Sequence, residues 1–124
     1  METRSVVHVE IPAEDVRSAA KFYSQIFGWG TQYDEQMDYM MFMYGAEPGS
    51  GGGGFNPLGE RSSVGDVIVY FGSPSIDVDL EAIKAAGGEV VVPKTEIPGM
   101  GWFCWFKDPT GNTLGLFEEM APAA

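Results

Sequence analysis

Apolar and polar residues alternate from Val6 to Ile11: Val7, Val9 and Ile11 fall on one face, and Val6, His8 and Glu10 on the other. The pattern predicts a strand with one apolar and one mixed face, ended by Pro12. The period then lengthens. Val16, Ala19, Ala20, Tyr23, Ile26 and Phe27 recur at helical spacing, with Asp15 as N-cap and Gly28 as the closing residue. Two short strands are predicted near Thr31–Tyr33 and Tyr39–Tyr44. Pro48 to Gly54 is a loop or the start of a fourth strand, and Asn56 to Ser63 reads as a linker.

The same order then restarts. Val67 to Phe71 is a strand, Pro74 breaks it, and Asp77 is the candidate N-cap of a helix over Val78–Ala86, closed by Gly87-Gly88. Strands follow over Glu89–Val92, Trp102–Phe106 and Thr113–Glu118. Asp108 to Asn112 has the chemistry of a hairpin turn: proline presets φ, and Gly or Asn accepts positive φ. Asp15 and Asp77 mark equivalent points in what reads as a weak internal duplication of βαβββ type. The expected fold is α+β. Two βαβββ modules (about 4–56 and 64–120, with a linker at about 57–63) form one cupped, mostly antiparallel sheet within a single domain.

Composition narrows the partners. A length of 124 residues, 44% of them hydrophobic and 20% charged, is ordinary for one globular domain. The net charge is −11, and between Phe22 and Ile83 the only cation is Arg61. Nucleic acid, anionic membrane surfaces and substrates with several negative charges are disfavoured. The single cysteine, Cys104, permits no intrachain disulfide, and Met1–Ser5 lacks the opening of a signal peptide. A cytoplasmic location is expected. Thirteen per cent aromatics and seven Met suggest a pocket or a homodimer interface beyond the core.

Three segments carry a resemblance to a known family. VVHVEIPAED followed by AAKFYSQIFGW resembles the opening strand and helix of the vicinal oxygen chelate superfamily, the glyoxalase, bleomycin-resistance and dioxygenase group. Gly87-Gly88 with EVVVPKTEIPGMGWF, then KDPTGNTLGLFEE, resembles its closing strands. The similarity extends over essentially the whole chain and is strongest to a short subgroup related to lactoylglutathione lyase. It implies the fold but no one activity, because the superfamily includes isomerases, dioxygenases, epimerases, thiol transferases and non-catalytic binding proteins. Members that bind a divalent metal do so with four His, Gln or Glu positions, two from each module.

Carried onto this chain, those positions fall on His8, on or near Gly54, on Ile68 and on Gly115. Only His8 has a donor side chain, so no cofactor is expected. A metal site rebuilt from His8, Glu10 and a third oxygen ligand, with Glu119 on the same face as Gly115, is the disfavoured alternative. His8 and Glu10 are candidate acid–base residues, or a plain structural ion pair. Phe55, Ile68, Tyr70, Trp102, Cys104, Phe106, Gly115 and Phe117 are candidate walls of a ligand site, although the core claims them equally. Cys104 has no neighbouring cation in sequence to mark it as a nucleophile. Gly51–Gly54 lacks the Lys-Ser/Thr of a phosphate loop, and either permits a close approach or is a slack loop. The function expected first is binding of a small apolar or aromatic molecule without metal. The alternative is a lyase or isomerase acting on a carbonyl or thiol-adduct substrate. A pure interaction module is a third possibility.

Overall fold

The computed structural model describes residues 2–45 and 51–120. The sequence expectation for Pro48 to Ser50 lies outside the described residues. The chain divides into two compact units, residues 7–68 and residues 2–6 with 69–120, each described below by itself.

Module one contains β1 (Val6–Ala13), α1 (Val16–Phe27), β2 (Gly30–Asp34), β3 (Tyr39–Met43) and β4 (Gly52–Pro57). Its strands lie in the order β2-β3-β4-β1, antiparallel except for the parallel pair β1–β4. The alternation of β1 is realised. Ile11 and Ala13 pack with Met40, Phe42 and Phe55 beneath Val16, Ala20 and Tyr23 of α1. The Asp15 side chain accepts from the amides of Arg17 at 3.0 Å and Ser18 at 3.2 Å, satisfying donors that the helix cannot. Gly28 closes the helix at φ 72°, its N–H donating to the Ser24 carbonyl. The helical face is narrower than the sequence pattern suggests. Ile26 and Phe27 remain 61% and 57% exposed, because the sheet-facing stripe is already filled by Val16, Ala20 and Tyr23.

Gly52 to Gly54 belong to β4, so the glycine run is a strand, not a slack loop. Gly53 lies under the Phe42 ring, and a side chain there would collide with that ring and with the Val9 carbonyl. The close approach lets Phe42 stack on Trp29 at 4.5 Å and meet Phe55 at 4.8 Å.

Module two contains β5 (Ile68–Gly72), α2 (Ile76–Ala85), β6 (Glu89–Ile97), β7 (Gly101–Lys107) and β8 (Thr113–Glu119). The order is β5-β8-β7-β6, with β5–β8 the parallel pair. Module one's pattern of strand, helix and three strands is thus repeated, as the duplication predicts. The N-cap is a correction. It is Ser75, whose hydroxyl accepts from the Val78 amide at 3.3 Å, and the helix starts at Ile76. Asp77 sits inside the first turn, 3.6 Å from Lys94. Ser75 directly follows the break at Pro74, so the chain is capped as soon as it can turn. β6 continues through Pro93 to Ile97, past the predicted end at Val92. As an edge strand with register shifts on both sides of Val92, it tolerates the missing proline N–H.

Ile76, Leu80, Cys104, Phe106 and Leu116 form the second core, flanked by Phe71, Trp102 and Leu114. The N-terminal segment joins this module. Gly72 N–H donates to the Ser5 carbonyl, and Arg4 holds the buried Asp79 with two hydrogen bonds of 2.6 and 3.1 Å. No helix among the described residues is long and apolar enough to cross a membrane.

Candidate binding site

Each module's sheet has a second face, turned away from its helix. Strand register assigns it. In module one Glu10 pairs with Gly54, and Gly54 with Met41, so His8, Glu10, Tyr39, Met41 and Gly54 share the face opposite Ile11, Met40, Phe42 and Phe55. In module two Tyr70 pairs with Gly115, Gly115 with Trp105 and Phe117 with Phe103, opposite Phe71, Cys104, Phe106 and Leu116. Superimposing the two strand patterns makes Gly54 equivalent to Gly115, His8 to Ile68 and Glu10 to Tyr70.

The same device recurs at the two glycines. The Tyr39 ring lies on Gly54, and a Cβ there would overlap the ring. The Tyr70 ring lies on Gly115 with the same consequence. Both glycines are therefore required by a flat aromatic neighbour, and neither position has room for a side chain. The Tyr70 hydroxyl accepts from the Trp105 indole N–H at 2.7 Å, in a buried pair.

Tyr39 also connects the polar groups of module one. Its hydroxyl donates to Glu10 Oε2 at 3.0 Å and lies 2.6 Å from His8 Nε2. The two rings are nearly parallel, with centroids 6.2 Å apart. Burial holds the His8 imidazolium pKa down to about 4, so the ring is neutral at neutral pH. The arrangement is a short hydrogen-bonded chain of imidazole, phenol and carboxylate. Such a chain can orient a ligand or pass a proton.

These residues do not fit the divalent ion that the family positions imply. Gly54, Ile68 and Gly115 offer no side-chain donor, and the two glycine positions are covered by tyrosine rings. His8 Nε2 is engaged with Tyr39, and Glu10 with the same hydroxyl. Glu119 lies at the exposed end of β8, paired with Gly101.

Ile68 and Tyr70 are buried, Gly115 lies under Tyr70, and Phe117 is half-buried beside Phe103, all on the face away from α2. Phe55, Cys104 and Phe106 are a correction. They face the helices and form the cores, so they cannot line the opposite face. Trp102 shares the parity of Cys104 and packs at the edge of the second core, with the Lys94 ammonium 4.7 Å from its ring centre. Burial raises the Cys104 thiol to about 11, the reverse of an activated nucleophile. Phe103 and Trp105 take the places assigned to their neighbours. β7 is apolar on both faces, so alternation alone cannot choose between them. Tyr39 is the residue that sequence reasoning missed; only the β3–β4 register shows that it reaches Gly54.

A model of the Glyoxalase/Bleomycin resistance protein/Dioxygenase superfamily matches residues 5–116. CFP32 of Mycobacterium bovis and Mycobacterium tuberculosis, provisionally named a glyoxylase, is 24% identical over 127 residues, covering 89% of this chain. The chain spans 44% of the length of those relatives. A hypothetical protein from Bacillus halodurans C-125 has a similar structure, with a TM-score of 0.71, 14% identity and 99% of each chain covered. Streptomyces coelicolor methylmalonyl-CoA epimerase, bound to 2-nitronate-propionyl-CoA, has a TM-score of 0.68 at 21% identity, covering 98% of this chain and 100% of the epimerase. At these identities the structural likeness speaks for the fold, and the match to the family model speaks for the family. The chain belongs to the Glyoxalase/Bleomycin resistance protein/Dioxygenase superfamily.

Proposed function

We propose that this protein binds a small apolar or aromatic molecule on the sheet face that a module turns away from its own helix, without a metal ion at the family's four ligand positions. The observation that carries this reading is the tyrosine ring laid on each of Gly54 and Gly115. At Gly54 and Gly115, two of the four positions that the family resemblance marks for donors, this chain presents a tyrosine ring. The reading assumes a cytoplasmic homodimer, which light scattering on the purified protein would test.

A library of aromatic and aliphatic small molecules, screened by amide chemical shifts of labelled protein, tests the binding. The expected result is a ligand that perturbs Tyr39 and Gly54 of module one, or Tyr70 and Gly115 of module two, and leaves Phe55, Cys104 and Phe106 undisturbed. Perturbations confined to other surfaces would refute the assigned place. The absence of any ligand from a broad library would refute the function.

The His8–Tyr39–Glu10 chain favours a second reading, proton transfer on a carbonyl or thiol-adduct substrate. Under it, Glu10→Ala and His8→Ala each abolish an activity found by substrate screening while the fold is retained. Full activity in both variants would eliminate it.

A further inference from the structure

Helix α1 turns to solvent a face that its own module does not use. Val16, Ala20 and Tyr23 fill the side towards the sheet. On the other side Ser18, Phe22 and Gln25 recur at spacings of four and three residues, with Ile26 beside them, and all four are exposed. Phe22 is 54% exposed, its ring set edge-on against Tyr23 at 5.2 Å. The apolar surface continues past the helix end: exposed Phe27 meets Trp29 at 5.6 Å, and Trp29 meets exposed Tyr44 at 5.1 Å. Linked apolar surface of this kind marks a contact face.

Charge selects what covers it. A chain of net charge −11 repels its own copy, least so through a surface without carboxylates. The charged residues within α1 are Arg17 and Lys21, whereas α2 carries Asp77, Asp79 and Glu81. Both cations stand in the N-terminal half of α1, and its last turn has no basic residue to meet the carbonyl ends of the helix. Two copies of α1 laid antiparallel satisfy both conditions. Helical side chains lean towards their own N-terminus, so Lys21 of each copy leans over the C-terminal turn of the other. Arg17 stays over the Tyr33 ring at 4.4 Å.

We propose that the outer face of α1 is the contact between two copies of this chain, with the helices antiparallel and crossing at Phe22. This rests on the homodimer assumed above and names the surface that makes it. Phe22, near the middle of Val16–Phe27, then meets its own counterpart, and the small Ser18 lies opposite Ile26. The contact is symmetric, so each of these pairings off the axis occurs twice. It does not cover the sheet face bearing His8, Glu10 and Tyr39, which points away from α1.

Sedimentation velocity of the full chain over a dilution series tests it, with Phe22→Glu on the face and Val78→Glu on α2, where Val78 is 61% exposed, as control. Wild type and Val78→Glu should dimerise with the same dissociation constant. Phe22→Glu should raise that constant at least about tenfold, because it sets two carboxylates against each other where the helices cross. A second variant keeps the apolar residues. Gln25→Cys should be joined to its own copy by a short bismaleimide, and Val78→Cys should not; Cys104 is buried and does not compete. A Phe22→Glu chain as dimeric as the wild type, or a dimer in which Gln25→Cys does not crosslink, overturns the α1 contact and leaves the homodimer standing. A wild type that is monomeric at every concentration overturns both. Pelleting of the wild type with phosphatidylserine vesicles, lost in Phe22→Glu, would give the face to a membrane and overturn the proposal as well.

Discussion

At the scale of single residues, the site is governed by what glycine permits. Gly54 and Gly115 matter through the tyrosines above them, so a methyl group at Gly54 should be costly. Gly54→Ala is expected to destabilise the protein by about 1–3 kcal/mol through overpacking. Tyr39→Ala in the same chain should return part of that loss, giving a coupling readable by urea denaturation of the four-member cycle. Additive effects would mean that the ring does not press on Gly54. His8 makes a second prediction. Its folded pKa, about 4, lies below the ordinary value of 6.5, so between those values the unfolded chain binds more protons than the folded one. Stability should fall as pH drops from about 6.5 towards about 4, by at most about 1.4 kcal/mol per pH unit from this residue. Urea midpoints of wild type and His8→Phe across that range would check it; the variant should lose this part of the slope. Tyr39 could not be picked out from the sequence because its role lies in cross-strand register, which places it near Gly54, fifteen positions away in the chain. His8 and Glu10 were legible, since strand alternation alone puts them on one face.

At the scale of elements, local chemistry was most readable where a residue acts on its immediate neighbours. Asp15 and Gly28 bound α1 as a cap and a left-handed stop should, and Asp108 holds the 108–112 turn by accepting from the Gly111 and Asn112 amides. The second helix was misread by two residues because Asp77 and Ser75 are both acceptable caps, and only the path of the chain after Pro74 decides between them. Asp79, in the same turn, shows what the sequence hides: it is buried, held by Arg4 from the far end of the chain and by the Ser73 hydroxyl. Arg4 and Ser73 hold its carboxyl below the usual range against the opposing effect of burial. Removing the cation leaves that charge without its ion-pair partner. Arg4→Met should cost on the order of 2 kcal/mol, less than for a fully buried pair because Arg4 reaches solvent. Thermal denaturation of Arg4→Met and of Arg4→Met/Asp79→Asn would measure it. A double variant less stable than the single one would contradict this account.

At the scale of the whole molecule, the strand–helix–strand order of both modules could be read from hydrophobic periodicity, because each element has the period of its type and a glycine or proline at its end. The faces of β7 could not, since Trp102 to Phe106 is apolar at every position. The balance of −11 charges predicts no binding to duplex DNA at physiological salt, checked by gel shift. The central claim concerns the outer sheet face of each module: a tyrosine ring lies on Gly54 and on Gly115, two of the four positions that the family resemblance marks for metal ligands, and the proposal is that no divalent ion binds there. The most direct test is metal analysis of protein purified without chelator, combined with thermal denaturation in the presence of Ni, Zn, Fe(II) or Mn. The account predicts far less than one equivalent of metal per chain and no rise in Tm with any of the four. A near-stoichiometric ion that raises Tm, and is lost in His8→Ala, would contradict it.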